Sequence, residues 1–404
     1  MQKKEVFIVD ALRTPIGKYG GSLKDTRPDD MAALVISEIV QRNFNKNSIE
    51  SSLIEDVILG CANQAGEDNR NVARMSLLLA GLPISVAGAT VNRLCGSGMQ
   101  AVVDGVRAIA LGEGNIVISG GVESMTRAPF VMPKPHEAFS RANAVYDTTI
   151  GWRFTNPKLA SMYYPYSMGE TAENVAKKHN ISRERQDEFA YNSQMKTKES
   201  VKAGKFRDEI TPVEIRTKKE TLIFDTDEFP RFDTTLEKLA KLKPAFTKEN
   251  GTVTAGNSSG INDGACTVLL VSEDKCKELN FKPRARFVAS AVAGVDPACM
   301  GLGPIPATKK ALERAGLTLK DIDLIELNEA FAAQSIACID ELGLDTALVN
   351  VNGGAIALGH PLGMSGARII TTLLYEMEKR NSRFGLAAMC IGVGQGIATI
   401  WERV

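Results

Sequence analysis

Short apolar runs of strand length alternate with stretches of helical periodicity along most of the chain. Residues 6–11 form an apolar run of strand character, and 29–42 place apolar side chains at helical spacing. The pairing recurs as 57–59 followed by 71–79, and a helix over about 99–111 leads into a strand over 115–120. This alternation predicts an α/β fold whose sheets are covered by helices.

The same order of landmarks returns late in the chain. The run from Arg286 echoes the strand at 6–11; a helix over 307–315 and an apolar run over 322–327 echo 29–42 and 54–59. Val349-Asn350, before a glycine-rich turn and a helix, echoes Val91-Asn92, and 385–390 echoes 115–120. A duplicated α/β unit with two halves packed about a pseudo-dyad explains the recurrence. The predicted halves are residues 1–280 and 281–404.

The first half is longer because of a stretch rich in charge, Tyr and Pro between about 123 and 255, read as an inserted loop domain. Within it, 171–179 and 182–201 have helical patterns. The second opens on Ser182-x-x-Arg185, which offers an N-cap without a full capping box.

Composition narrows the function classes. Of 404 residues, 44% are apolar and 24% charged, with 48 basic residues against 48 acidic ones. No global field favours nucleic acid or an anionic membrane, so an anionic ligand needs a local cluster. Apolar runs are broken well before the roughly 18 residues of a membrane span, and no signal-peptide pattern opens the chain. A cytoplasmic protein is expected. Seven cysteines lie scattered without a C-x-x-C pair, which argues against a disulfide framework or a metal site.

Four blocks carry candidate chemistry. In Asn92-Arg-Leu-Cys95-Gly-Ser-Gly-Met99 a cysteine stands between an apolar strand and a helix. The free N–H groups and positive dipole end of that helix favour a thiolate, and Gly96 and Gly98 allow close approach. The plain alternative is a buried structural thiol. The matching turn of the second half, Gly353-Gly-Ala-Ile-Ala-Leu-Gly-His360-Pro-Leu-Gly, encloses one of only three histidines. A neutral imidazole there could accept the Cys95 proton; His136 and His179 read as ordinary satisfied loop histidines. Cys390 sits at the edge of a glycine-rich turn between two strands, where a second thiol could shuttle a proton. No helix follows those glycines, so the block is no dinucleotide fingerprint. Asn328, after the strand at 322–326, could orient water or an oxyanion, or simply cap a helix.

These blocks, in this order and together with Thr254-Ala-Gly-Asn-Ser-Ser-Gly-Ile-Asn-Asp-Gly264, resemble the thiolase family over nearly the whole chain. The resemblance implies a duplicated five-layer α/β/α/β/α fold with a loop domain over the active site. It implies Cys95 as the acyl-carrying nucleophile, His360 as the base that activates it, and Cys390 as the acid-base at the acetyl carbon. Asn328 would hold a water that, with His360, polarises the thioester oxygen. The backbone N–H groups of Cys95 and Gly392 would form a second oxyanion site. Coenzyme A would be a substrate, held by Met168, Arg231, Leu242, Phe246, Ala255, Ser259, Met300 and Phe331, with no cofactor or metal. A homodimer or homotetramer is expected.

The segments at 147–157, 170–174, 359–368 and 390–398 look like the 3-oxoadipyl-CoA thiolases of aromatic-compound breakdown, which yield succinyl-CoA and acetyl-CoA. On that reading Arg153 is a candidate partner for the distal carboxylate. Three positions depart from related patterns: Ser167 where biosynthetic acetoacetyl-CoA thiolases carry histidine, Lys238 for a small polar residue, and Gly169 where proline is usual. Acetoacetyl-CoA thiolase and broad 3-ketoacyl-CoA thiolase are the near alternatives. A ketoacyl-synthase-type condensing enzyme is more distant, since it needs a second histidine where this chain has Asn328. A catalytically silent acyl-CoA carrier is a rival of another class.

Overall fold

The computed structural model describes residues 4–135, 137–141 and 144–404. The strands that build its main sheet are β1 (Val6–Arg13), β2 (Asp56–Gly60), β3 (Ala87–Val91), β4 (Ile116–Ser124) and β5 (Asn262–Ser272) in the first half. The second half contributes β6 (Ala285–Gly294), β7 (Leu324–Leu327), β8 (Phe384–Ile391) and β9 (Gln395–Arg403). The main helices are α1 (Pro28–Asn43), α2 (Val72–Leu79), α3 (Ser97–Leu111), α4 (Met168–Lys178), α5 (Arg183–Lys202), α6 (Pro304–Ala315), α7 (Ala332–Leu342) and α8 (Leu362–Arg380).

The strand order is β7-β8-β9-β6-β1-β5-β4-β2-β3, so the two half-sheets meet where β1 pairs briefly with β6. Reading outward from that seam, each half runs antiparallel, antiparallel, then parallel. The outermost parallel pair, β2 with β3, has its counterpart in a single bridge between Ile325 and Val349. Even the irregularities match. The β1–β5 ladder skips Val9 and the β6–β9 ladder skips Val288.

Alternation along the strands sorts side chains into two faces. Ile116 and Ile118 of β4 join Met31, Val35, Ile36 and Ile39 of α1, whereas Val117 faces Val102, Val106 and Ile109 of α3. In the second half Ile325, Leu386 and Ile400 pack with Ile305 and Leu312 of α6. Helices α3 and α8 lie side by side between the half-sheets, giving the order α1/α2, sheet, α3/α8, sheet, α6/α7. The duplicated five-layer arrangement is therefore present.

Close contact of α3 with α8 depends on glycine. A Cβ added at Gly98 would lie 2.5 Å from the Gly363 carbonyl oxygen, and one at Gly366 would lie 2.7 Å from Met99 Cβ. Gly98 thus allows the close approach of backbone expected there. Alanine at position 366 would gain about 1 kcal/mol of helix propensity but suffer about 3 kcal/mol of overpacking. Gly366→Ala is expected to be destabilised by about 2 kcal/mol, read as a lowered urea midpoint at unchanged slope.

Between β4 and β5 the chain leaves the main sheet. Val175 and Ile181 around α4 and Ala190 of α5 pack on Ile336 and Ala337 of α7. Helix α4 begins at Met168, three residues before the predicted start, because Ser167 and Glu170 form a complete capping box. Helix α5 is capped by Ser182, as its sequence predicts. Arg13 of β1, wholly buried, binds Glu209 at 2.6 Å and Asp227 at 2.7 Å, tying the excursion to the sheet. No helix among the described residues is long and apolar enough to cross a membrane.

Candidate active site

Cys95 stands between β3 and the start of α3 on a strained turn. Leu94, just before it, has φ of 47°, in the left-handed region that non-glycine residues rarely occupy. Side chains and backbone hold that turn. Asn92 Oδ1 accepts the Leu94 N–H at 2.9 Å, Ser97 Oγ donates to the Leu94 carbonyl at 2.6 Å, and Arg93 reaches across to Gln395 Oε1 at 3.1 Å. The second half closes over the sulfur with the turn after β8, where Val393 also has positive φ, 62°.

All seven cysteines are free, and Cys95 alone among them is not fully buried. Even so, burial pushes its thiol up to about 11, against the lowering effect of the Gly392 and Cys95 N–H groups and with a further push from Glu123. The expected helix-terminus thiolate is therefore corrected. The dipole and N–H groups are in place, but desolvation outweighs them, so the resting sulfur holds its proton. The two N–H groups aimed at the sulfur are those expected to form an oxyanion site.

His360 follows Gly359, whose φ of 108° suits glycine alone; a Cβ there would strike Asn262. Asn262 Oδ1 accepts the His360 N–H at 3.0 Å. Ser365 Oγ donates to the Pro361 carbonyl at 2.8 Å, so its lone pair receives His360 Nδ1–H at 2.6 Å. Nε2 is left without a proton, 3.5 Å from Asn328 Nδ2. Burial, with help from the Arg368 cation, drives the imidazole down to about 3, and it is neutral at physiological pH.

Asn328 is buried just past β7, and its Oδ1 has no hydrogen-bond partner among the described residues. Cys390 lies near the end of β8, also buried. Its thiol is pushed well above the usual range, first by burial and then by the negative charge Cys95 would carry. Cys95, His360 and Cys390 line one cavity of about 860 Å³. Three glycine-opened turns from distant parts of the chain thus bring two thiols and an imidazole to one chamber.

Comparison with known proteins places the chain in a family. The family described as thiolase, N-terminal domain, matches residues 6–274, and thiolase, C-terminal domain, matches 281–403. The chain belongs to the thiolase family. It is 56% identical to the 3-oxoadipyl-CoA/3-oxo-5,6-dehydrosuberyl-CoA thiolase of Escherichia coli, covering 99% of this chain and 100% of that protein. It is 55% identical, with the same coverage, to a beta-ketoadipyl-CoA thiolase of Acinetobacter baylyi. Among solved structures, the acetyl-CoA acetyltransferase of Bacillus anthracis is 42% identical, with a TM-score of 0.93 and full coverage of both chains.

In this thiolase the candidate CoA residues Met168, Arg231, Phe246, Ala255, Ser259, Met300 and Phe331 line the larger cavity with the cysteines. Leu242 does not. It is partly exposed and packs with Leu239 over Gly256, next to the lining residue Ala255. Phe246 and Phe331 meet edge to face with centroids 6.2 Å apart, and the Arg231 guanidinium lies 5.2 Å from the Phe229 ring centroid. Gly169 is explained by Phe246, whose ring occupies the space a Cβ would need. Lys238 pairs with Asp233 at 2.6 Å on the surface.

His179 ends α4 with a buried Nε2 that has no partner among the described residues, so it is not the satisfied loop histidine expected; His136 lies outside those residues. Sequence reasoning missed the support of His360. Ser365 sits five positions on, in the first turn of α8, and Asn262 lies in a block recognised only as part of a pattern. Glu123 was missed as well. It accepts N–H groups from Ala62, Asn63 and Gly363 beside Cys95, and burial raises its carboxyl to about 7.

Proposed function

We propose that this thiolase cleaves 3-oxoadipyl-CoA with free CoA to give succinyl-CoA and acetyl-CoA, and runs the reverse condensation through the same intermediates. The observation that carries the reading is the convergence of Cys95, His360 and Cys390 on one cavity large enough for a pantetheine arm. The choice of acyl group is supported by the names of the relatives 55–56% identical to this chain.

His360 Nε2 takes the Cys95 proton as the sulfur attacks C3 of the substrate. The C3 oxygen gathers negative charge, which two preorganised N–H groups, from Cys95 and Gly392, stabilise. The C2–C3 bond then breaks; its electron pair passes to C2 as a thioester enolate, which the Cys390 thiol protonates to acetyl-CoA. Asn328 and His360 support the enolate oxygen. Succinyl-Cys95 remains. A second CoA, giving its thiol proton to Cys390, attacks the acyl carbon, and Cys95 leaves as thiolate to recover its proton from His360. Matched proton transfer matters because both cysteines rest as thiols in a desolvated site. Coenzyme A is a substrate here, and these steps draw on no further cofactor.

Side-by-side thiolysis of 3-oxoadipyl-, acetoacetyl- and medium-chain 3-ketoacyl-CoA tests the assignment. A kcat/KM at least about tenfold higher for 3-oxoadipyl-CoA, a transition-state difference of about 1.4 kcal/mol, is expected. Equal turnover of acetoacetyl-CoA would sink it.

The free cysteines support a reducing compartment such as the cytoplasm. Edge strand β3, incompletely buried along its whole length, supports self-association into a dimer or tetramer through sheet edges.

A further inference from the structure

A second, smaller cavity of about 360 Å³ also reaches Cys95, and shares Ile150, Gly151, Met168 and Leu362 with the larger one. The polar side chains of its wall are nearly all paired. Asn63 Nδ2 donates to the Thr148 hydroxyl at 3.1 Å, and that hydroxyl donates onward to the Pro129 carbonyl at 2.6 Å. Asn92 Nδ2 donates to the Ala62 carbonyl at 2.9 Å, and Trp152 Nε1 to the Tyr166 carbonyl at 3.0 Å. Thr149 is bound to Asp147, and Glu123 is held by its three N–H donors.

Arg153 is the exception. It lines this cavity, is half-buried, and has no ion pair or hydrogen bond among the described residues. The chain has acids enough, 48 against 48 basic residues, yet among the described residues none is placed against this guanidinium. Partial burial of a cation without a counter-charge is unfavourable. A carboxylate arriving with a ligand would supply two oxygens to its fork of donors.

We propose that the smaller cavity receives the acyl group carried by Cys95 and that Arg153 binds a carboxylate at the far end of that group. The subsite makes the protein selective for 3-ketoacyl-CoA esters that end in an acid. This rests on the reading of Cys95 as the acyl carrier and names what selects the acyl group. The sizes agree. A succinyl thioester places its carboxylate carbon about 5 Å from the sulfur, at ordinary bond lengths. A cavity of about 360 Å³ would be about 9 Å across if spherical, leaving room for the guanidinium contact. The phosphates of CoA are the other source of negative charge, and the two are separable because a neutral substrate carries the same CoA.

The test compares full-length wild type, Arg153→Met and Arg153→Lys on 3-oxoadipyl-CoA and on 3-oxohexanoyl-CoA, a chain of equal length without the acid. Melting temperatures establish that the variants are folded. Arg153→Met is expected to lower kcat/KM for 3-oxoadipyl-CoA at least about tenfold while staying within about twofold of wild type on 3-oxohexanoyl-CoA. Arg153→Lys should lie between, since it keeps the charge and loses the fork. An equal fall on both substrates assigns Arg153 to CoA and overturns the subsite, as does no fall on either. A wild type without preference for the acid would overturn the 3-oxoadipyl reading and the subsite together. A selective wild type with an indifferent Arg153→Met would overturn the subsite alone.

Discussion

Cys95→Ala is expected to lower thiolysis of 3-oxoadipyl-CoA at least about 10,000-fold and to abolish the acyl-enzyme seen by mass spectrometry on the peptide containing residue 95. The size of the loss follows from the site. Of the seven cysteines, only Cys95 and Cys390 line the central cavity, and Cys390 is buried with its thiol held well above the usual range. No other sulfur can take over the attack. The small side chain should leave stability near that of wild type, because the turn is held by Asn92, Arg93 and Ser97 rather than by the thiol. Retention of more than about 1% of activity, far above the residue expected from binding and oxyanion stabilisation alone, would remove Cys95 from the role assigned to it.

His360→Ala is expected to lower kcat about 1,000-fold, in the middle of the range for a positioned general base. The stronger check is the pH dependence of Cys95 alkylation by iodoacetamide. Burial holds the thiol up at about 11 and the imidazole down at about 3, so at pH 7 the proton sits on sulfur and the ring is neutral. The thiolate fraction then grows about tenfold per pH unit, and the alkylation rate should still be climbing above pH 9. A plateau reached between pH 6 and 7 would reveal a resting thiolate-imidazolium pair and contradict the desolvated resting site. Ser365→Ala should weaken catalysis with altered pH dependence, because it removes the acceptor that fixes the Nδ1–H tautomer.

Much of the fold was legible because it is written in local periodicity. The strands at 6–11 and 115–120 and the helix near 99–111 appear within a few residues of their predicted positions, and the repeated order of elements announced the duplication, the five layers being implied by the family resemblance. The start of α4 was legible too, since Ser167 and Glu170 form a capping box of the usual spacing, although the apolar pattern alone set the boundary at 171. Cys95, His360 and Cys390 could be singled out because each lies in a glycine-rich turn next to a regular element.

What could not be read locally is what each group meets. The helix-start rule favoured a thiolate at Cys95, but the sulfur is enclosed by segments contributed from both halves, and desolvation wins. Leu242 matched a ligand-binding pattern, and only the fold shows that it packs over Gly256. Arg153 was a candidate carboxylate partner by resemblance alone, and only the fold sets it in a cavity wall whose other polar side chains already have partners. The elements, their duplication and the three reactive side chains were readable along the chain, because those depend on neighbours in sequence. Tertiary structure alone decided protonation, tautomer and the division of the site into two cavities. Burial and counter-charge are set by residues up to some 300 positions apart, as Arg93 and Gln395 are.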